Sequence, residues 1–251
     1  MFTPQGPSLR ELARQALSSV EHGYDLLAPK FDHTPFRTPD SLLCAVRRAL
    51  AEIGPFEHGL DLCCGTGAGM TVLREVCRRS VTGVDFSAGM LEAGRERAAL
   101  PHPSPGDARG AGAPAVSWVR GDVHALPFKP VFDLVVSFGA FGHFLPHELD
   151  GVFAQAHSVL RPGGRFAFPL PAPATPRSSW YWAALGFDAA MRVRNALWRP
   201  PFVMYYRPFR LGLARRKLEQ AGFTVELCAL PEFGRRADGS PRCRMVVATR
   251  T

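Results

Sequence analysis

Lysine is scarce in this chain of 251 residues: Lys30, Lys129 and Lys217 are the only ones, so 27 of the 30 basic residues are arginine. No run of five basic residues occurs, and the arginine excess accompanies abundant alanine, glycine and proline. The net charge of +8 therefore reads first as a compositional bias, and nucleic acid is not the expected partner. Long apolar runs are missing too. Nothing approaches the roughly 18–20 residues that a bilayer-crossing helix needs, and no charged-then-apolar leader opens the chain, so a cytoplasmic location is expected. The six cysteines (Cys44, Cys63, Cys64, Cys77, Cys228, Cys243) form no Cys-x-x-Cys pair and have no histidine at zinc-ligand spacing. No metal is expected, and the thiols read as reduced and buried. Adjacent Cys63 and Cys64, taken as strand neighbours, face opposite sides and cannot easily share one ion.

Apolar residues make up 46% of the chain, enough for a large core. They are organised around residues 59–69. Leu60, Asp61 and Leu62 read as the end of a short buried strand, and Gly65-Thr66-Gly67-Ala68-Gly69 as a turn without side-chain bulk. Met70, Val72, Leu73, Val76 and Cys77 then recur at helical spacing. Strand, glycine turn and helix N-terminus together bring backbone N–H groups and a helix dipole against a polar or anionic part of a ligand. A dinucleotide fingerprint, G-x-G-x-x-G, would need glycine where Met70 stands. The acid about twenty residues further on, Asp85, suits any nucleoside. What separates the ligand classes is Asp61, four residues before Gly65.

The stretch Asp61-Leu62-Cys63-Cys64-Gly65-Thr66-Gly67 resembles the first motif of class I S-adenosylmethionine (SAM)-dependent methyltransferases, [Asp/Glu]-x-Gly-x-Gly-x-Gly, with Cys63 in place of the first glycine. Its wording is similar to that of quinone-biosynthesis and other small-molecule methyltransferases. The resemblance implies an α/β, Rossmann-like fold: a mostly parallel sheet with an antiparallel C-terminal hairpin and a helical cap. It implies SAM as cofactor, S-adenosylhomocysteine as product, and Asp61, Cys63, Gly65, Thr66 and Gly67 as cofactor residues.

Further motifs follow in order. Val81 to Asp85 reads as a strand ending in a carboxylate, whose two oxygens can accept from both ribose hydroxyls, and Phe86 would lie against adenine. Ser87 caps a helix carrying Met90, Leu91 and Arg95, as in the family's second motif. Gly121-Asp122-Val123, ahead of Leu126-Pro127-Phe128, resembles the third motif, in which the Asp accepts from the adenine amine. The strand Phe132 to Ser137 runs into Phe138-Gly139-Ala140-Phe141-Gly142-His143-Phe144, where Ser137 and Phe138 complete the expected cofactor wall. A helix from Pro146 to Leu160 and the family-typical Arg161-Pro162-Gly163-Gly164 lead to a strand from Arg165 to Leu170. At the C-terminal end, a helix from Leu211 to Gln220 precedes two strands joined by a hairpin at 231–241.

Upstream, the capping box Ser8-Leu9-Arg10-Glu11 opens a helix expected to reach about Leu27. A second helix runs from Asp40 to Ile53. Tyr24-Asp25-x-x-Ala28-x-x-Phe31-Asp32 resembles the segment that brings an aromatic near the methionine end of SAM, although Tyr24 equally suits ordinary helix packing. The chain thus divides into a helical extension (1–54), a SAM-binding core (55–170, with a low-complexity connector at 101–115), an insert (171–209), and the last helix and strands (210–251).

Residues 171–217 hold nine aromatics and nine basic residues against one acid, Asp188. On a helix, Asp188, Arg192, Asn195 and Arg199 form one narrow polar stripe opposite Trp182, Leu185, Ala189, Val193 and Ala196. Most of that helix is expected to be buried, with Phe202 to Tyr206 crossing a pocket mouth. In the family, insertions here build a lid over the acceptor. Aromatic walls suit a flat or greasy acceptor and arginines a carboxylate. A packed lid takes precedence over a membrane-facing role for 178–209, and stacking of RNA bases ranks third.

The expected activity is methyl transfer from SAM to oxygen, nitrogen or carbon of a small-molecule acceptor. In-line displacement needs alignment and exclusion of water, and a base where the acceptor is a hydroxyl or protonated amine. His143 is the candidate base, ahead of His124, His33 and His147. Alternative readings are an NAD(P)-binding oxidoreductase, a SAM-fold protein that binds or regulates without catalysing, and, behind these, an RNA methyltransferase.

Overall fold

The structure, a computed structural model, describes residues 5–99, 112–205 and 210–251. Most of the connector expected at 101–115, and Tyr206 and Phe209 of the insert, lie outside the described residues. Seven strands form one sheet: β1 (Phe56–Leu62), β2 (Cys77–Asp85), β3 (Ala115–Arg120), β4 (Phe132–Val136), β5 (Leu160–Pro171), β6 (Phe223–Ala229) and β7 (Cys243–Arg250). Their order is β3-β2-β1-β4-β5-β7-β6. Strands β1 to β5 pair in parallel, while β7 runs antiparallel to both β5 and β6. An NAD-type sheet continues in parallel to its sixth strand. Here β7 wedges in antiparallel instead, as the methyltransferase resemblance implies.

The central strands are covered on both faces, which is why they read as unbroken apolar runs. Leu60, Leu134, Val135 and Val136 are fully buried. One face packs on α6 (Leu149–Val159) and α8 (Leu211–Gln220) through a ring cluster in which Phe166 meets Phe141, Phe153, Phe168 and Phe223. The other packs on α3 (Asp40–Ile53), α4 (Ala68–Val76) and α5 (Ala88–Ala99) through Val46, Leu50, Met70, Leu73 and Leu91. The strand order reverses between β1 and β4, so the loops leaving their C-terminal ends diverge and open a crevice.

Three local expectations change. The helix expected to reach Leu27 is two, α1 (Leu9–Ala16) and α2 (Val20–Leu27). The capping box forms at Ser8 and Glu11. Then Ser18 Oγ donates to the Gln15 carbonyl at 2.7 Å and Ser19 Oγ accepts from His22 N at 3.2 Å, ending one helix and capping the next. Cys77 opens β2 rather than closing α4. Its thiol fills the space beside Gly59, where a Cβ would come within 2.7 Å of Sγ.

The third change is the insert helix α7 (Ser179–Leu197), whose circumference is not mostly buried. Asp188 and Asn195 of its polar stripe face inward while Arg192 and Arg199 stay exposed: Asp188 is 7% exposed, whereas Trp182 is 61% and Val193 59% exposed. The extended piece 202–205 explains the inversion. Its backbone groups need partners, and Asn195 supplies them, accepting from Phe202 N at 2.8 Å and donating to Phe202 O at 3.1 Å. No described helix is long and apolar enough to cross a membrane.

Replacing Phe166 by alanine removes a ring that four others touch. Urea unfolding of Phe166→Ala is expected to show a loss of about 3–5 kcal/mol.

Candidate active site

A cavity of about 500 Å³ opens at the C-terminal ends of β1, β2 and β4. Tyr24, Asp61, Cys63, Gly65, Thr66, Asp85, Phe86, Met90, Gly121, Asp122, Val123, Phe138 and His143 all line it. Gly67 and Ser137 do not. Gly67 turns its Cα toward the Trp118 ring, which a Cβ would meet at 2.4 Å, and Ser137 Oγ donates to the Leu62 carbonyl behind the wall at 3.1 Å.

Asp61 is 1% exposed, and neither of its oxygens has a hydrogen-bond partner. It lies against the first turn of α4, where a Cβ on Gly69 would come within 2.4 Å of Oδ2. Burial, and after it the Asp85 charge, push its carboxyl well above the ordinary range, while the Met70 backbone N–H favours the charge without reaching bonding geometry. Asp85 is better served. Its Oδ2 accepts from Gly65 N at 2.8 Å and its Oδ1 from Ser87 N at 2.9 Å. Burial still raises its pKa against those donors. At Asp122 burial raises the pKa, but the backbone and ring N–H groups of His124, 2.9 and 2.8 Å from Oδ1, bring it below the ordinary value.

Cys63 and Cys64 lie beyond the end of β1, so they are turn residues rather than strand neighbours. Cys63 sits at φ 55°, a left-handed conformation that glycine takes freely and other residues reach at a cost of about 1–2 kcal/mol. That accounts for glycine in the motif this stretch resembles. Burial first, and the nearby carboxylates next, hold both thiols protonated, unsuited to nucleophilic or metal chemistry.

At the other end of the cavity, His143 Nδ1 lies 2.8 Å from the Val203 carbonyl oxygen and Nε2 lies 2.7 Å from the Tyr24 hydroxyl. A carbonyl only accepts, so Nδ1 carries the hydrogen and Nε2 accepts from Tyr24. Burial, partly offset by the Val203 bond, keeps the imidazole pKa below its ordinary value. The piece 202–205 reaches this point because Gly142 leaves room for it. Tyr205 N donates to Gly142 O at 2.8 Å, and a Cβ on Gly142 would meet the Tyr205 carbonyl.

Chain similarity fits this geometry. Residues 60–164 match the family described as a methyltransferase domain. An uncharacterized methyltransferase of Synechocystis sp. is 31% identical over 176 residues, 69% of each chain. The chain belongs to the class I SAM-dependent methyltransferases. A 2-phytyl-1,4-naphtoquinone methyltransferase of Nostoc sp. is 31% identical over 155 residues, 57% of this chain and 61% of that relative, so the match spans less than two thirds of its length. The solved magnesium protoporphyrin IX methyltransferase of Synechocystis, with bound S-adenosylhomocysteine, shares the fold: TM-score 0.54, 15% identity, 92% of this chain and 95% of that one covered.

The methyltransferase cofactor is SAM, and the donor set fits it. A sulfonium carrying an ammonium, hydroxyls and an amine offers donors and positive charge. The cavity offers two unpartnered buried oxygens on Asp61, lone pairs on Asp85 and Asp122, and open space over Gly65, where a Cβ would meet nothing within 4 Å.

Two acids outside the expected site residues hold the N-terminal extension in place. Asp25 Oδ1 accepts from Ser87 Oγ at 2.6 Å and Gly89 N at 2.9 Å, and Asp32 Oδ1 accepts from Thr66 Oγ1 at 2.9 Å and pairs with Arg97. Both lie in the quoted Tyr24–Asp32 words, but nothing in those words says that they latch the N-terminal helices onto the motif loops. Val203 and Phe144 of the lining fall in the two stretches expected at the pocket, whereas Phe36 carried no signal beyond being apolar.

The Cys63 backbone yields a check. Cys63→Gly is expected to shift stability by less than about 1 kcal/mol. Cys63→Val, β-branched at positive φ, is expected to lose about 1–3 kcal/mol in urea titration.

Proposed function

We propose that this methyltransferase transfers the SAM methyl group to a flat, apolar acceptor bearing an acidic proton, of the hydroquinone type. The observation that carries the reading is the Tyr24–His143–Val203 chain, which puts a neutral imidazole behind a phenol at the cavity wall. Two further features favour it: the Phe36, Phe138 and Phe144 side chains of the cavity, and a relative named for a naphtoquinone. In this reading residues 171–209 form a cap, whose piece 202–205 closes the acceptor end and excludes water.

Asp85 would hold the ribose hydroxyls, Asp122 the adenine amine, Phe86 and Met90 the ring, and Asp61 the ammonium. When bound, SAM supplies a methyl group on a positively charged sulfur that departs as a neutral thioether. The protein's part is alignment, which contributes roughly 7–11 kcal/mol in well-oriented systems, and removal of one proton. Tyr24 Oη faces the acceptor and takes its proton while passing its own to His143 Nε2. Nδ1–H remains on the Val203 carbonyl throughout, which fixes the ring orientation.

For His143→Ala and Tyr24→Phe, kcat is expected to fall about 10²- to 10⁴-fold with SAM affinity nearly unchanged by calorimetry. In the unaltered enzyme the acid limb of kcat should lie below the ordinary histidine range, because burial depresses the His143 pKa. Unchanged turnover in both variants removes the pair from the chemistry.

Asp61 supplies a linkage test. Burial and the Asp85 charge raise its pKa in the free protein, and a bound cation lowers that pKa, so the two states differ in proton occupancy between the two values. SAM binding should therefore release a proton and tighten as pH rises through the free Asp61 titration. Calorimetry in buffers of different ionisation enthalpy reads the proton. Asp61→Asn should abolish its release and weaken binding.

A further inference from the structure

The inverted helix α7 leaves an outward face that the methyl-transfer chemistry does not use. Of the ten large apolar side chains most exposed among the described residues, five lie at 180–198: Trp180, Trp182, Val193, Leu197 and Trp198. On the helix, Trp182, Gly186, Ala189, Val193 and Ala196 repeat at i, i+4, i+3, i+4, i+3, and Leu197 joins the same side. At 3.6 residues per turn this outward band spans roughly 100°. All these residues are exposed, and none carries a charge. From 178 to 191 the one charged residue is Asp188, which is buried on the opposite edge. Ordinary surface helices show the reverse arrangement, polar outward and apolar inward. An apolar band of this extent is an interaction surface.

The rim identifies the occupant. Arg192 borders the band on one side, Arg177 and Arg199 stand at its two ends, and no exposed acid lies on the helix; Arg194, on the other side, is turned inward to the Ser18 and Pro200 carbonyls. Arg192, Arg177 and Arg199 are exposed, and Arg192 is braced over the Tyr205 ring at 4.7 Å. A second copy of the chain is disfavoured by this rim, since two-fold pairing would set arginines against arginines. A charge-free band with tryptophans at both ends and arginines around it matches the interface of an anionic bilayer, where indoles sit at headgroup depth and guanidinium groups meet lipid phosphates. We infer that the outward face of α7 docks the enzyme on an anionic membrane surface, with the helix lying in the interfacial plane. The inference goes beyond the acceptor reading and does not depend on it. It departs from the packed-lid reading of the residue pattern, because the apolar face such a lid would bury is exposed.

Trp182 lies on this face, and Trp180 and Trp198 are exposed at the two ends of its helix, so intrinsic fluorescence reports on the region. The full chain is mixed with vesicles of phosphatidylcholine alone, or of phosphatidylcholine with about a quarter phosphatidylglycerol. Cosedimentation, emission wavelength and quenching by brominated lipid are then read. Expected are binding to the anionic vesicles, a blue shift with quenching, and weakening at high salt. The triple variant Trp182→Ser, Val193→Ser, Leu197→Ser should bind about tenfold or more weakly, with circular dichroism and melting temperature preserved. A second variant, Arg192→Gln with Arg199→Gln, should lose the preference for anionic lipid. No binding to either vesicle at low salt overturns the proposal. So does binding unaffected by both variants, or a dimer in gel filtration that the serine variant dissolves.

Discussion

A carboxylate buried without a partner is the constraint on which the site is built. Asp61 sits near the end of β1, 1% exposed, with both oxygens unsatisfied by the protein. Such a group is costly unless something compensates it, and every nearby feature accommodates it. Gly69 yields the space against α4, the backbone turns through positive φ at Cys63, Gly65 and Gly67, and Asp85 is anchored by Gly65 N at the neighbouring strand tip. The arrangement suits a cationic, donor-rich ligand, and the cavity opens at the switch point between β1 and β4.

The N-terminal helices belong to the same electrostatic scheme. Asp25 accepts from the first turn of α5 and Asp32 from the glycine turn, so two further carboxylates clamp the extension onto backbone and hydroxyl donors. That clamp delivers Tyr24 to His143, and the insert delivers the Val203 carbonyl to the other ring nitrogen. Three separate segments of chain thus meet on one imidazole. Each bond depends on the docking of its segment, and none arises from local geometry.

The insert shows how one backbone requirement can reverse a helix. Asn195 and Arg194 turn inward, Asn195 to serve the Phe202 backbone and Arg194 to reach the Ser18 and Pro200 carbonyls. The aromatic and aliphatic residues are then carried outward. The residue pattern showed two faces correctly. It gave no means of telling which one the fold would cover, since both amphipathic orientations satisfy the same periodicity.

The parts of this protein that chain order alone determined are the local ones. The strand-turn-helix at 56–76, the acid at the tip of β2, the cap at Ser87 and the paired C-terminal strands follow from short-range periodicity, turn chemistry and motif spacing, whose physics acts over a few residues. Tertiary structure decided the rest: the split at Ser18 and Ser19, the latching by Asp25 and Asp32, the contact of Tyr24 with a histidine 119 residues away, and the outward turn of α7. Those outcomes depend on where distant backbone donors and acceptors come to rest once the sheet has assembled, and a one-dimensional pattern carries no record of that.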